Sequence, residues 1–234
     1  MAKLHEVHQS RQRIHVMEKM NGCAIYGADL HLPHMLYAKG VVTGCPYGEI
    51  RAIHTEEALN IPGVRGVYTA EDIPGHNGFG AFCKDEPILA ERYVKFAGDV
   101  VAVVVADSPV LAEQGAKAVR VELTPLKPVL TVEEALSGEI VINPAYPGNL
   151  CASQHLIKGD AAAALAQAEV VVEETYETAW VEHAYLEPEA VVVLPLEGGG
   201  LEMRGSTQNP FFNRNVICEA LCLTEKQVVI HPDT

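Results

Sequence analysis

From residue 23 to residue 69 the chain carries short runs of strand character, at 23–26, 35–42, 49–53 and 64–68, each cut off by glycine or proline. The spacing predicts strands of one small sheet. Between them, Thr55 stands before Glu56-Glu57-Ala58-Leu59 and Thr69 before Ala70-Glu71-Asp72. Each places a hydroxyl ahead of acidic residues, the order that caps a helical turn and suits its dipole. Residues 93–107 alternate and then become continuously apolar through Val100-Val101-Ala102-Val103-Val104-Val105, which predicts a central strand pair. Ser108-Pro109 is an N-cap followed by proline at the first helical position, and the helix it opens feeds a strand at 119–123. Thr131 with Glu134 has capping-box spacing.

Residues 143–149 hold two prolines and a glycine without periodicity. A domain boundary is expected there, with a tail over 1–18, a first domain over 19–142, a linker over 143–150 and a second domain over 151–234. In the second, Asp160 caps an alanine-rich helix that leads into an alternating Val/Glu/Thr/Tyr segment at 170–181, expected as a long strand. A hairpin follows, its arms at 190–196 and 201–206 and its turn at Glu197-Gly198-Gly199-Gly200. Asn209-Pro210 opens a helix to Leu223, and 227–231 reads as a strand. Helices and strands interleave but hairpins dominate, so the fold class is α+β.

Composition narrows the function classes. With 48% hydrophobic and 21% charged residues among 234, the chain is of globular type. Only 17 Lys and Arg face 31 Asp and Glu, a net charge of −14, and nucleic-acid affinity comes from cations, so a nucleic-acid partner is excluded. The longest apolar runs, 100–106 and 190–196, are far short of the roughly 20 residues a membrane helix needs. The polar N-terminal stretch has no signal-peptide core. A cytoplasmic protein with reduced thiols is expected, since the six cysteines are widely spread and lack CxxC spacing.

Several residues are candidates for chemistry. Cys218 and Cys222 have i, i+4 ligand spacing on one helix, but Ala220, Leu221 and Leu223 make a buried thiol pair the simpler reading. His5, His8 and His15 lie in the tail. Glu182, His183, Glu187 and Glu189 form the densest acid and imidazole cluster, open to acid/base work or to a structural role. No metalloprotease, nucleophile-elbow or phosphate-loop motif is present, and the triple glycine is a hairpin turn without a helix behind it. Ser206-Thr207-Gln208-Asn209-Pro210 joins a strand end to a helix start. It reads either as an N-cap turn or as a place where free donors meet an anion or a metal-oxo group, with Gln208 as a neutral, directional donor.

The order of motifs resembles the molybdenum-binding subunit of xanthine dehydrogenases and aldehyde oxidases. The likeness runs over residues 13–234, through Lys19-xx-Gly22-x-Ala24-x-Tyr26-xx-Asp29, Met35-Leu36-Tyr37-Ala38-Lys39, Ile61-Pro62-Gly63-Val64, Thr69-Ala70-Glu71-Asp72-Ile73-Pro74-Gly75 and Asp85-Glu86-Pro87-Ile88-Leu89-Ala90. It continues through Gly98-Asp99-Val100-Val101-Ala102, Leu126-Lys127-Pro128-Val129-Leu130, Gly159-Asp160, His183-Ala184-Tyr185-Leu186-Glu187-Pro188-Glu189 and Ser206-Thr207-Gln208-Asn209-Pro210. One stretch departs: where the family has Ser-Pro-His-Ala-His, this chain reads Gly44-Cys45-Pro46-Tyr47-Gly48-Glu49.

The resemblance implies an α/β hammerhead domain followed by the start of a molybdopterin-binding domain. It implies a molybdenum hydroxylase that oxidises a heterocycle or an aldehyde with oxygen from water. Gln208 matches the family glutamine that donates a hydrogen bond to an oxo ligand of the cofactor. The catalytic glutamate base and the glycine-rich loop at the metal would lie outside this chain, so no catalytic residue and no metal ligand is assigned in it. Molybdopterin would be held only in the complete enzyme. The partners implied are the remaining part of the molybdenum subunit, an iron–sulfur subunit and often a subunit carrying FAD. A non-catalytic module docking on such subunits is the rival reading.

Overall fold

The computed structural model describes residues 9–80, 83–185, 187 and 189–233. A one-turn helix, α1 (Val16–Met20), crosses the end of the expected tail, and all its side chains are partly or fully exposed. Residues 23–26, expected as a strand, form none, and a 3-10 turn (Gly27–Asp29) follows. Next come β1 (Tyr37–Val42), β2 (Gly48–His54), a short α2 (Glu56–Leu59) and β3 (Val64–Thr69). Thr55 sits at the start of α2 with near-helical backbone and makes no side-chain cap, contrary to expectation. Thr69 behaves differently: the Asp72 carboxylate accepts from its N–H at 2.7 Å, closing a 3-10 turn.

β4 (Tyr93–Val94), β5 (Val100–Ala106), α3 (Pro109–Ala118) and β6 (Arg120–Pro125) complete this region. The expected single sheet is two. One has the order β1-β5-β3 and the other β4-β2-β6, every pairing antiparallel. The two halves of the expected central strand pair, β4 and β5, therefore belong to different sheets. Pairing decides this, and pairing is non-local, so the apolar pattern of each strand is silent about it. β5 is central because Val101, Ala102, Val104 and Ala106 are fully buried, with α3 on one side and the second sheet's Val94 in the same core. The Ser108 hydroxyl accepts from the Leu111 N–H and caps α3 as expected.

Met1–Leu126 and Leu186–Thr234 together make one compact unit, and Lys127–Tyr185 a second. In the second unit, Thr131 caps α4 (Val132–Ser137) and Asp160 caps α5 (Ala161–Gln167), both as expected. Residues 170–181 do not form the expected strand; they carry no regular secondary structure and are exposed throughout. A strand is held by its neighbours' hydrogen bonds, and these residues pair with no strand among the described residues.

In the first unit, β7 (Val191–Leu196) and β8 (Gly200–Gly205) form the expected hairpin, with Gly198 and Gly199 at positive φ in its turn. A crossover helix, α6 (Pro210–Leu221), returns the chain so that β9 (Val228–Pro232) pairs parallel to β8. The C-terminal carbonyls of α6 are satisfied from afar: Gly75 N–H donates to Ala220 O and His76 N–H to Glu219 O.

Candidate functional site

The turn from β8 into α6 is built by close approach. Gly205 has φ of 142°, and a Cβ there would lie 2.1 Å from the Ala190 carbonyl oxygen, so only glycine lets β8 end against the start of β7. Ser206 N–H then donates to that same Ala190 carbonyl at 3.1 Å, and Asp233 N–H donates to Gly205 O. Asp233 reaches further: its carboxylate accepts from Gly27 N–H at 2.7 Å, tying the end of β9 to the turn after Tyr26.

Each residue flanking Gln208 is held. The Ser206 hydroxyl donates to Glu187 at 2.9 Å, the Thr207 hydroxyl accepts from the Asn213 carboxamide at 2.6 Å, and Asn209 Oδ1 accepts from Phe212 N–H at 3.1 Å. Pro210, at the first helical position, has no N–H to satisfy. Gln208 itself is exposed, and its carboxamide is hydrogen-bonded to none of the described residues. The N-cap is thus Asn209 alone, and Gln208 is an unused donor and acceptor pair presented by a turn that is fixed on both sides.

The other candidates separate. Glu187 is drawn into the turn through Ser206, whereas Glu182 and His183 are exposed in the second unit. Leu186 and Pro188 of the same motif lie outside the described residues. Cys218 is buried, and burial pushes its thiol above the ordinary range. Cys222 ends α6 in the left-handed conformation, exposed, with its thiol on Pro74 O, so the i, i+4 spacing makes neither a ligand pair nor the expected buried pair: only Cys218 is buried, because the helix ends at Cys222. His15 pairs with Glu18, while His5 and His8 lie outside the described residues. Among the described residues no group of three or more His, Cys, Asp or Glu is placed to hold a metal ion.

The order of elements and this turn set the frame for comparison with known proteins. The family model for the aldehyde oxidase and xanthine dehydrogenase a/b hammerhead domain matches residues 21–127, and the model for the molybdopterin cofactor-binding domain matches residues 142–234. The chain belongs to the xanthine dehydrogenase and aldehyde oxidase family. That family is one of molybdenum hydroxylases. The large molybdopterin subunit of nicotinate dehydrogenase from Eubacterium barkeri is 35% identical over 95% of this chain and 52% of its own length. A probable xanthine dehydrogenase component from Bacillus subtilis is 32% identical over 94% of this chain and 30% of its own. The chain thus spans about half, or less, of the length of these curated relatives.

Among solved structures, the aldehyde oxidoreductase from Desulfovibrio gigas superimposes with a TM-score of 0.87 at 28% identity, covering 94% of this chain and 26% of that one. Quinoline 2-oxidoreductase from Pseudomonas putida 86 gives 0.85 at 26% identity, covering 96% and 30%. The expected α+β class, a hammerhead domain with a molybdopterin-binding region, is therefore the fold of this chain.

Tested against the group this family implies, the turn fits one contact. A neutral carboxamide with its donor free suits an oxo ligand, which accepts hydrogen bonds and would be repelled by a carboxylate. Among the described residues no group of three or more potential metal ligands stands with it. What sequence reasoning missed are the residues that hold the turn: Asn213 six positions after Thr207, and Asp233 two hundred and six positions after Gly27. Neither spacing has a local signature. Among the described residues no helix is long and apolar enough to cross a membrane.

Proposed function

We propose that this chain supplies the hammerhead domain and one wall of the cofactor site of a molybdenum hydroxylase acting on a heterocycle or an aldehyde. When bound, the molybdenum cofactor supplies a two-electron oxidation that uses oxygen from water. Gln208 is the residue of this chain that would contact it, its amide N–H donating to an oxo ligand. The observation that carries the reading is the unpaired Gln208 carboxamide between two hydrogen-bonded neighbours, in a family member. Thr207 and Asn209 are committed to α6, so their side chains position Gln208 and do not compete with it for the ligand. A glutamine is suited to this place because it donates without adding charge beside an electron-rich oxygen. The remaining molybdenum-subunit polypeptide would bring the other cofactor contacts and the base, and iron–sulfur and often FAD subunits would accept the electrons. On this reading the rival, a non-catalytic docking module, gives Gln208 no task.

The test is Gln208→Ala and Gln208→Glu in the assembled, cofactor-loaded enzyme. A hydrogen bond to a charged acceptor is worth about 1.5–3 kcal/mol, so Gln208→Ala should slow turnover roughly ten- to a hundredfold with cofactor content unchanged. Gln208→Glu should be worse, since it sets a negative charge against the oxo group. Full turnover in both variants would return Gln208 to a turn residue.

A further inference from the structure

Residues 170–181 form the most exposed apolar stretch of the described chain. Taken as a strand pattern, the even positions carry Val170, Val172, Tyr176 and Trp180, with Glu174 and Thr178 between them, and the odd positions carry Glu173, Thr175, Glu177 and Ala179 between Val171 and Val181. Trp180 is fully exposed and Tyr176 is 89% exposed. None of these residues has positive φ, and none of their backbone groups is hydrogen-bonded among the described residues. Large apolar side chains displayed this way are uncommon on a finished surface and mark a face that is covered in use. The segment is also one-signed: Glu169, Glu173, Glu174, Glu177 and Glu182 lie in or beside it, and no Lys or Arg occurs from 159 to 203.

We propose that residues 170–181 are a strand waiting for a neighbour, and that they pair edge to edge with a basic-faced β-strand from the further molybdenum-subunit polypeptide that the relatives carry. The backbone groups supply the register, the even face lays its valines and aromatics against apolar side chains, and the glutamates meet Lys or Arg across the strands. Charge selects this occupant over a second copy of the same segment, because glutamates opposite glutamates repel and the segment has no cation to answer them. The lengths of the relatives supply the source: the matched region is 52% of one molybdopterin subunit and 30% of another relative. The source of the strand rests on the proposed function; the strand pairing itself does not.

Trp180 is the single tryptophan of the chain, so its fluorescence reports this segment alone. Three probes would be added to the purified chain: a capped twelve-residue peptide alternating valine with lysine, the same peptide with glutamate for lysine, and the portion of the Eubacterium barkeri large subunit outside the match. The lysine peptide and the subunit portion should each shift Trp180 emission to the blue and slow amide exchange over 170–181 at least tenfold, and added salt should weaken both effects. Thr175→Pro, which removes a backbone donor in the middle of the segment, should abolish both effects without changing the thermal melt of the rest. Equal binding of the lysine and glutamate peptides, or a subunit portion that leaves Trp180 exposed, would overturn the proposal. So would a chain that buries Trp180 alone in a concentration-dependent dimer seen by sedimentation. No molybdenum is present in this experiment, so its failure and that of the Gln208 variants are read separately.

Discussion

The Asn213 carboxamide donates to the Thr207 hydroxyl at 2.6 Å, joining the second turn of α6 to the residue just before Gln208. The turn is therefore held by a side chain of the helix it introduces. Asn213→Ala removes that bond but places a better helix former in α6. A neutral hydrogen bond is worth about 0.5–1.5 kcal/mol and the propensity gain about 0.5 kcal/mol, so global stability should change by less than about 1 kcal/mol. Amide exchange at 206–208 should rise nonetheless. Unchanged exchange there would show that Ser206 and Asn209 hold the turn without Asn213.

Gly115, on the buried side of α3, is a packing requirement. A Cβ there would stand 2.7 Å from Val104 Cγ1 and 3.1 Å from Val64 Cγ2, and Val104 is fully buried on the central strand. Overpacking costs about 1–3 kcal/mol, while alanine gains at most about 1 kcal/mol as a helix former, so Gly115→Ala should destabilise by about 1 kcal/mol. Urea unfolding measures it; a stabilised variant would show that β5 and α3 can part without cost.

Arg65 and Asp107 form a bidentate pair, Nε to Oδ1 at 2.7 Å and Nη2 to Oδ2 at 2.8 Å, across the ends of β3 and β5. The guanidinium's hydrogen bond holds the Asp107 carboxyl below its ordinary value. A carboxyl depressed in the folded state stabilises fully above its unfolded value, and that contribution disappears as pH falls through the folded value. Asp107→Asn should accordingly be less stable than the parent at neutral pH, with the gap closing in acid below the ordinary carboxylate range. Both partners are exposed, so the gap is small and should shrink in salt. A gap that widens in acid would contradict the pairing.

Asn149 organises the second unit although it resembles an ordinary linker residue. At φ of 55° its Oδ1 accepts from Ile142 N–H, and its Nδ2 donates to Ala135 O and Ile140 O. Three bonds at roughly 1 kcal/mol each put the local cost of Asn149→Gly on the order of 3 kcal/mol, and Asn149→Ala adds the left-handed strain of about 1 kcal/mol. Exchange of the α4 amides should rise in both variants, and further in Asn149→Ala. Equal exchange in the two would remove the strain argument.

What was legible in the sequence is what acts within a few residues. Ser108, Thr131, Asp160 and Asn209 were readable as caps because a short oxygen side chain reaches an N–H three residues on, and each does so. Thr55 has the same signature and makes no cap, its backbone having already turned helical. The run from Val100 to Val105 announced a buried strand, yet its partners β1 and β3 flank it from 58 to 69 residues and 33 to 42 residues earlier. No periodicity encodes those distances. At the site, the strand-to-helix turn offered Gln208 as a donor and the family resemblance chose between its two readings, while the bonds that hold its neighbours come from Glu187, noted only as one of an acid cluster, and from Asn213, an ordinary polar residue in sequence.

Limited proteolysis should find the second unit first. All residues from 151 to 185 are exposed, and the only regular element among them is α5, seven residues long with no buried side chain. Proteases need a segment that can leave its surroundings, and here little burial opposes local opening. By contrast the region from β4 to β6 contains Val94, Val101, Val104 and Ala106, all fully buried. Chymotrypsin should therefore cut first after Leu156, Tyr176, Trp180 or Tyr185. Trypsin, with no Lys or Arg between 159 and 203, should open this stretch at Lys158 alone. Mass spectrometry of the earliest fragments decides it, and a first cut between Tyr93 and Pro125 would mean that the buried strands open more readily than the exposed segment.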